Sequence, residues 1–263
     1  MIRQPSAWVN GGAGWVANEA TYDRAFAPVT DAILQLADLR VGQSLLDVGC
    51  GSGTLLAAAA SRPQAAIEVA DAEAAELATS APYDRVVSRF GVMFFDDPTA
   101  AFTNIRRATA PNGRLTFACW RSLAENPSFT NGSSILTSRM ADAADTSALT
   151  PDPTAPGPMA LADADRLLGL LTDAGWRDIM IIPFDFTLDY GAGRDGVEAR
   201  LAVILATGWG ARAERLLRPE VGESRWAGLV AQVRSHLHDQ LVDGRVQLPG
   251  ATWLVTAANS AIS

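Results

Sequence analysis

The sequence predicts an α/β fold, because predicted strands and helices follow one another along the chain. A short apolar run ending at Leu46 leads into a glycine-rich turn and then into an alanine-rich helical stretch, Thr54 to Ser61. Further along, Leu161 to Gly175 has helical periodicity and Met180 to Leu188 alternates as a strand. The 263 residues, of which 48% are hydrophobic, suffice for one sizeable α/β core.

The turn after the first predicted strand is the heptapeptide Asp47-Val48-Gly49-Cys50-Gly51-Ser52-Gly53. A strand, a glycine turn and a helix allow backbone N–H groups to approach a nucleotide-like cofactor closely. A dinucleotide-binding fingerprint needs glycines spaced G-x-G-x-x-G, but position 54 is Thr. The spacing therefore disfavours a nicotinamide-dependent dehydrogenase. A glycine-rich turn without any ligand is the remaining structural alternative.

The pattern acid-x-Gly-x-Gly-x-Gly resembles the first motif of class I S-adenosylmethionine-dependent methyltransferases, and the resemblance extends over most of the chain. Asp84 to Phe95 is similar to the fourth strand of these enzymes and the loop at its carboxyl end, and Ala101 to Ala108 to the following helix. Pro111 to Trp120 resembles the turn and strand five, and Ser122 to Pro127 is typical of a bacterial small-molecule branch related to quinone and sterol methylating enzymes. The resemblance implies a doubly wound, Rossmann-like α/β fold with a mainly parallel sheet, an antiparallel last strand and a helical lid. It also implies methyl transfer to a small-molecule acceptor.

The same resemblance implies S-adenosylmethionine as cofactor and a set of residues around it. These residues are Asp47, Gly49, Cys50, Gly51, Gly53, Asp71, Ala72, Ser88, Arg89, Phe90 and Trp15. Because a cationic sulfonium would repel Arg89, we expect its side chain to point toward a carboxylate. No general base is evident, since acids in loops, such as Glu125, Asp96 and Asp97, are mostly solvated. The catalytic residues therefore stay unassigned.

The resemblance implies a single domain in which residues 41–121 are the cofactor core and the segments outside it cover that core. Residues 1–40 form an N-terminal lid with a helix over Thr21 to Leu39, where Trp15 and Tyr22 either line the ligand pocket or simply pack on the helix. Residues 122–160 form a loop and a helix. Residues 161–263 supply the last strands, with helices at 195–245 as a substrate cover, and Gly175 sits where a helix C-terminal cap belongs.

The interval from Thr54 to Tyr83 is short for its expected content of two helices and two strands, because one βαβ unit alone takes ~30 residues or more. In one alignment Ile67 to Ala72 is strand three and its end, near the adenine, and strand two with the ribose-binding acid is absent. In the other, Ile67 to Ala70 is strand two and Asp71 is that acid. About one βα unit is missing or disordered. We favour the first alignment, and a segment absent from the sequence rather than a deletion.

Composition limits the remaining functions. A net charge of −8 disfavours nucleic-acid binding, and all 21 basic residues are arginine, which excludes a P-loop lysine or a lysine Schiff base. No membrane span or signal peptide is evident, so we expect a cytoplasmic enzyme, in which Cys50 and Cys119 are free thiols. The resemblance to a bacterial branch implies a bacterial protein. No metal site is expected, since His236 and His238 face different sides of a helix. A homodimer is compatible with the sequence, and the alternative function is a methyltransferase fold that has lost catalysis.

Overall fold

The computed structural model describes residues 13–59, 72, 77, 82–140, 152 and 154–260. The helices are Glu19–Ala25 (α1), Ala27–Ala37 (α2), Thr54–Ala59 (α3), Pro98–Ala108 (α4), Ser133–Met140 (α5), Ala164–Asp173 (α6), Gly193–Ala206 (α7), Gly208–Val221 (α8) and Glu223–Asp239 (α9). The strands are Leu45–Asp47 (β1), Tyr83–Arg89 (β2), Thr109–Trp120 (β3), Arg177–Ala192 (β4) and Arg245–Ala258 (β5). Short 3₁₀ helices cover Val92–Phe94, Leu123–Glu125 and Pro127–Phe129.

The five described strands form one sheet in the order β1-β2-β3-β5-β4. β1 pairs with β2 and β2 pairs with β3 in parallel, whereas the last strand, β5, pairs antiparallel with β3. This arrangement confirms the predicted mainly parallel α/β sheet with an antiparallel last strand. Because β1, β2 and β3 run in the same direction, their carboxyl ends meet at one edge of the sheet, where ligands bind in open α/β folds.

Local sequence signals explain where several helices begin and end. Helix α4 begins with Pro98 in its first turn after Asp97, whose carboxylate accepts a hydrogen bond from the amide of Ala100. Helix α6 ends before Gly175, which has a φ of +87° and donates its amide to the carbonyl of Thr172. Gly175 therefore occupies the predicted C-terminal cap, because its left-handed conformation carries little cost only for glycine.

The chain divides into two compact units. The sheet unit comprises Pro28–Ser122, Asp152–Asp185 and Ala251–Ser263. Its core is formed by side chains such as Val86, Val87 and Phe117 from the sheet, with Phe102 of α4 and Trp176 beside them, all fully buried. The indole of Trp176 donates a hydrogen bond to the carbonyl of Phe102, so this large buried ring has its polar group satisfied.

The helical unit comprises Met1–Ala27, Leu123–Pro151 and Phe186–Gly250. Within it, α5, α7, α8 and α9 pack on one another and α1 packs on α7. The predicted cover at 195–245 and the part of the predicted lid that ends at Ala27 thus belong to this unit, whereas Pro28 and the residues after it in the predicted lid belong to the sheet unit. Gly14, which precedes α1, lies against the last residue of α7, and this close approach requires glycine because a Cβ at Gly14 would lie 2.2 Å from the carbonyl oxygen of Ala206.

The short interval after the glycine turn is a property of the chain itself. The 263-residue sequence is continuous from Thr54 to Tyr83, so the favoured explanation of a segment absent from the sequence is wrong. Among the described residues, β1 pairs only with β2, and its other edge is where further strands would add. The predicted strand at 67–70 lies outside the described residues, so neither alignment of this interval is tested.

Candidate cofactor-binding site

The candidate site lies where β1 and β2 end, in the sheet unit. Asp47 is the last residue of β1 and stands opposite Val87 of β2. The turn that follows carries positive φ angles at Gly49 (+73°), Gly51 (+55°) and Gly53 (+85°). Three left-handed residues within five positions explain why the turn needs glycine, since branched side chains are strained in this region. The turn leads directly into α3, as the sequence predicts.

Gly49 and Gly91 bring the turns after β1 and β2 into backbone contact. A Cβ at Gly49 would lie 2.7 Å from the Cα of Gly91, and a Cβ at Gly91 would lie 2.4 Å from the carbonyl oxygen of Val48. The Ser88 hydroxyl strengthens this contact by donating to that same carbonyl at 2.7 Å and accepting from the amide of Gly91 at 3.1 Å. Gly49 is therefore required by packing, and Gly91 is a site residue that the sequence analysis did not single out.

At Gly53 the surroundings are open instead. Within 4 Å of a Cβ built at Gly53 there is no atom of the described residues outside the immediate chain neighbours. Gly51 and Ser52 are exposed, whereas Cys50 is partly exposed. The second half of the turn therefore presents backbone, unobstructed by side chains, at the carboxyl edge of the sheet. This is the kind of surface on which a nucleotide-like ligand can lie close to main-chain N–H groups.

Asp47 carries a buried carboxylate that lacks a hydrogen bond. Neither Oδ1 nor Oδ2 has a partner among the described residues, although both oxygens are inaccessible to solvent. Burial raises the pKa of Asp47 from 3.8 to about 7, and the positive charge of Arg89 opposes that rise. A buried carboxylate without hydrogen bonds is unfavourable by itself, so it points to a cationic or hydrogen-bonding group that completes the site.

Arg89 ends β2 and is almost entirely buried. Its Nη1 donates a hydrogen bond to the hydroxyl of Thr30 in α2 at 2.9 Å, and its charge acts on Asp47. Arg89 therefore balances part of the negative charge at the carboxyl end of β1. The role of Thr30 gives no signal in the sequence, because it depends on where α2 packs against the sheet.

Phe90 and Trp120 form an aromatic surface at the ends of β2 and β3. Their rings stack in parallel, with centroids 4.5 Å apart and an interplanar angle of 6°. Phe90 has a φ of +65°, which is strained for an aromatic residue and costs about 1–3 kcal/mol. The amide of Phe90 donates to the carbonyl of Ala118 in the neighbouring strand. Strained backbone at the edge where ligands bind is typical of a functional position.

The remaining predicted site residues, Asp71, Ala72 and Trp15, are not part of the cluster described at the ends of β1 and β2. Asp71 lies outside the described residues, and Ala72 accepts a hydrogen bond at its carbonyl from the side-chain amide of Asn104 in α4. Trp15 belongs to the helical unit and stacks on Tyr22 of α1, with centroids 4.0 Å apart, which is one of the two alternatives that the sequence left open. A role of Trp15 in cofactor binding stays a prediction.

Other expected features concern acids, thiols and membrane spans. Asp97 caps α4, and both Asp96 and Glu125 are exposed, in keeping with solvated loop positions. Cys50 and Cys119 are free cysteines as predicted, and burial raises the pKa of both thiols. Among the described residues no cluster of acids, histidines and cysteines could hold a metal. In the same part of the chain, no helix has the length and apolar character needed to span a bilayer.

Comparison with known proteins identifies the family. The profile of the family described as "Methyltransferase domain" matches residues 21–179, which contain the whole candidate site. The chain therefore belongs to the methyltransferase-domain family. No curated protein matches the chain.

Solved structures support the same fold. A candidate methyltransferase from Bacillus halodurans superposes with a TM-score of 0.50 at 15% identity, covering 88% of this chain and 99% of that one. The YcgJ protein from Bacillus subtilis gives a TM-score of 0.51 at 12% identity, covering 90% and 100%. A candidate methyltransferase from an antibiotic biosynthesis pathway of Anabaena variabilis gives 0.50 at 15% identity, covering 88% and 96%. At these identities, the likeness concerns the fold alone.

The cofactor of the chain is S-adenosylmethionine, as the family implies. The residues at the carboxyl ends of β1 and β2 fit this molecule. The buried carboxylate of Asp47, which accepts no hydrogen bond from the described residues, would neutralise a cationic ammonium, and none of these residues obstructs the main chain at Gly53. The fit therefore rests on the Asp47 carboxylate and the open turn at Gly53, in addition to the family.

Proposed function

We propose that this protein transfers the methyl group of S-adenosylmethionine to an oxygen, nitrogen or carbon atom of a small-molecule acceptor, within the branch related to quinone and sterol methylating enzymes. The observation that carries the proposal is the buried carboxylate of Asp47, which has no hydrogen-bond partner among the described residues, beside an open turn of left-handed glycines. This combination is costly for a ligand-free protein, since each buried unsatisfied group destabilises the fold.

The proposal gives each site residue a task. Asp47 binds the ammonium of the donor's methionyl part, and the main chain at Gly49, Cys50, Gly51 and Gly53 lies along it. Ser88, Arg89 and Phe90 border the methyl-transfer position. Asp71 and Ala72 lie near the adenine, and Trp15 covers the cofactor from the amino-terminal segment.

The protein's chemical contribution is mainly orientation. The sulfonium of the bound cofactor supplies an activated methyl group, so the chain has to hold the acceptor's nucleophilic atom in line with it. A general base is needed only for a weakly nucleophilic acceptor such as an alcohol. The buried Arg89 and the stacked rings of Phe90 and Trp120, at the ends of β2 and β3, support this role because such side chains leave little room for water.

Calorimetry with S-adenosylhomocysteine tests the proposal. We expect micromolar affinity for the unaltered protein and a loss of about ten- to a hundredfold in Asp47→Asn, because a charge-assisted hydrogen bond is removed. Asp31→Asn is the matched control, since Asp31 is an exposed acid on α2. No binding to the folded, unaltered protein would instead favour a methyltransferase fold that has lost its function.

An activity screen then addresses the acceptor. Quinones, phenols and polyketide-like molecules, each assayed with the donor, represent the small-molecule branch to which the sequence is similar. Methyl transfer to one of these classes, reduced in Asp47→Asn and retained in Asp31→Asn, is the expected result. Binding of the donor product without turnover of any member would contradict the proposed branch while leaving the cofactor assignment intact.

A further inference from the structure

Arg89 lies on the same face of the sheet as Asp47, on the neighbouring strand. The register places Val87 of β2 opposite Asp47 of β1. Because side chains alternate between the two faces of a sheet, Arg89 shares the face of Val87 and Asp47 and lies two residues, about 6.6 Å, further along its strand. An arginine side chain can span this separation, and the charge of Arg89 acts on the Asp47 carboxylate. Two buried groups of opposite charge are therefore diagonal neighbours at the carboxyl edge of the sheet.

Helix α2 holds the Arg89 guanidinium through a hydrogen bond. Its Nη1 donates to the hydroxyl of Thr30 at 2.9 Å, and the two residues are only 9% and 5% exposed. The oxygens of Asp47, in contrast, accept no hydrogen bond from Arg89 or from any other described residue. Arg89 thus acts on Asp47 through its charge and leaves both carboxylate oxygens available to hydrogen-bond donors of a ligand.

The other titratable groups near Asp47 contribute little charge. In the turn, burial and then the charge of Asp47 raise the pKa of the Cys50 thiol, which therefore stays neutral near pH 7. Helix α3, which follows the turn, contains no titratable residue. Asp31, the acid of α2, is exposed. Among the described residues, Arg89 is thus the charged group that opposes the effect of burial on Asp47.

We propose that Thr30 and Arg89 are positioning residues for cofactor binding: Thr30 holds the Arg89 guanidinium on the face of the sheet that carries Asp47, and Arg89 keeps the Asp47 carboxylate ionised. The inference rests on the proposed function, because the ionised carboxylate is the form that binds the ammonium of S-adenosylmethionine. A buried carboxylate without a nearby cation would take up a proton and lose its attraction for an ammonium group. Thr30 therefore affects the cofactor without having to touch it.

The competing explanation is that the contact between Thr30 and Arg89 only fastens α2 to the end of β2. Removal of either side chain would then lower the affinity for S-adenosylhomocysteine by the same factor at every pH, or would leave it unchanged. A direct contact between Arg89 and the ligand also gives a loss that is independent of pH. An effect through the ionisation of Asp47 gives instead a loss that grows as the pH falls.

Calorimetry with S-adenosylhomocysteine between about pH 6 and about pH 9 distinguishes these explanations. We expect Arg89→Met to bind about tenfold more weakly than the unaltered protein at about pH 6 and within about twofold of it at about pH 9, because loss of the cation raises the pKa of Asp47. Thr30→Val, in which the guanidinium loses this acceptor, should show a smaller loss with the same pH dependence. Thr30→Ser, which keeps the hydroxyl, and Arg89→Lys, which keeps the charge, should retain most of the affinity.

Helix α4 of the same unit offers matched controls. Thr103→Val removes a hydroxyl that donates to the carbonyl of Thr99 in its own helix. Arg107→Met removes an exposed arginine. In both variants the affinity relative to the unaltered protein should be the same at every pH.

The cofactor-free protein gives a second readout, which does not depend on ligand binding. Urea unfolding measures how the free energy of unfolding changes on Asp47→Asn, as a function of pH, in the unaltered chain and in Arg89→Met. Since loss of Arg89 raises the pKa of Asp47, the stabilisation by Asp47→Asn should keep increasing beyond about pH 7 in the Arg89→Met background. The Thr30→Val background provides the same comparison if Arg89→Met does not fold.

The proposal is overturned if Arg89→Met and Thr30→Val weaken binding by a factor that does not vary with pH, or if both bind like the unaltered protein throughout. An unchanged pH range in the urea experiment would overturn it as well. A pH-dependent loss in Arg89→Met that Thr30→Val does not share would reject the role of Thr30. Absence of S-adenosylhomocysteine binding to the unaltered protein, together with an extended pH range in Arg89→Met, would reject the proposed function but not the electrostatic link between Arg89 and Asp47.

Discussion

Replacing Asp47 by asparagine should flatten the pH dependence of stability in the cofactor-free protein. Asp47 ends β1 with both carboxylate oxygens buried and without hydrogen-bond partners among the described residues. Burial raises its pKa in the folded state from 3.8 to about 7. Asparagine has nearly the same shape but cannot ionise, so the variant removes the titration while changing the packing little.

The sign and size of the effect follow from the two pKa values. Below about pH 4 the carboxyl is protonated in both the folded and the unfolded chain, and its ionisation costs nothing. As the pH rises toward about 7 the unfolded chain loses the proton first, so the folded protein becomes progressively less stable. At about 1.4 kcal/mol for each pH unit between the two values, the loss amounts to about 4 kcal/mol and is complete above pH 7.

The assay is urea unfolding at a series of pH values, with Asp31→Asn as the control for removal of an exposed acid. The unfolding free energy of Asp47→Asn relative to the unaltered protein should rise between about pH 4 and pH 7, and by more than that of Asp31→Asn. A ligand ammonium needs the ionised carboxylate, so S-adenosylhomocysteine affinity should fall up to tenfold per unit below about pH 7. A relative stability independent of pH would refute the argument from buried, unpaired oxygens.

Three further predictions concern the turn, its packing and the thiols. Gly51→Val should abolish S-adenosylhomocysteine binding in calorimetry while the fold stays largely intact. Because Gly51 has a φ of +55°, valine should also lower the free energy of chemical unfolding by about 1–2 kcal/mol. Unchanged affinity in the folded variant would show that this turn is not part of the site. Gly91→Ala should lower the unfolding free energy by about 1–3 kcal/mol, because the new Cβ would meet backbone atoms. Gly169→Ala, in an open helical position, should raise the unfolding free energy by about 0.5–1 kcal/mol. Effects of the same sign in both variants would contradict the close contact at Gly91. Thiol titration of the native protein should modify the partly exposed Cys50 first and reach the fully buried Cys119 only on unfolding, and simultaneous reaction of both would show that β3 is accessible.

The sequence predicts the regular elements well where a local signal exists. The strand, glycine turn and helix at 45–59 and the cap at Gly175 depend on residues close together in the chain, and the structure has them where they were expected. Bounds are less predictable. The strand predicted over Met180 to Leu188 runs from Arg177 to Ala192, because pairing with the neighbouring strand β5, rather than local propensity, decides how far it extends.

The candidate site divides in the same way. The spacing of the glycines predicts the turn. The burial of the Asp47 carboxylate without hydrogen-bond partners among the described residues depends on packing, which the spacing does not predict. Thr30 likewise contacts Arg89 only because α2 lies against the end of β2. The burial of Arg89 is equally invisible in a sequence with 21 arginines, since nothing local separates it from Arg234, whose side chain is 45% exposed. Long-range burial, which no spacing encodes, therefore determines most of the electrostatics.

The geometry of the glycine turn also explains how a cofactor site persists beside such a short following interval. β1 has only three residues, and its outer edge has no described partner. The turn is held instead from the side of β2: the amide of Val48 donates to the carbonyl of Val87, the hydroxyl of Ser88 donates to the carbonyl of Val48, and Gly49 rests on Gly91. Because all of these contacts come from residues 87–91, shortening of the chain between Thr54 and Tyr83 need not displace the turn. Selection on cofactor binding can accordingly act on the end of β2 as strongly as on the glycine motif itself.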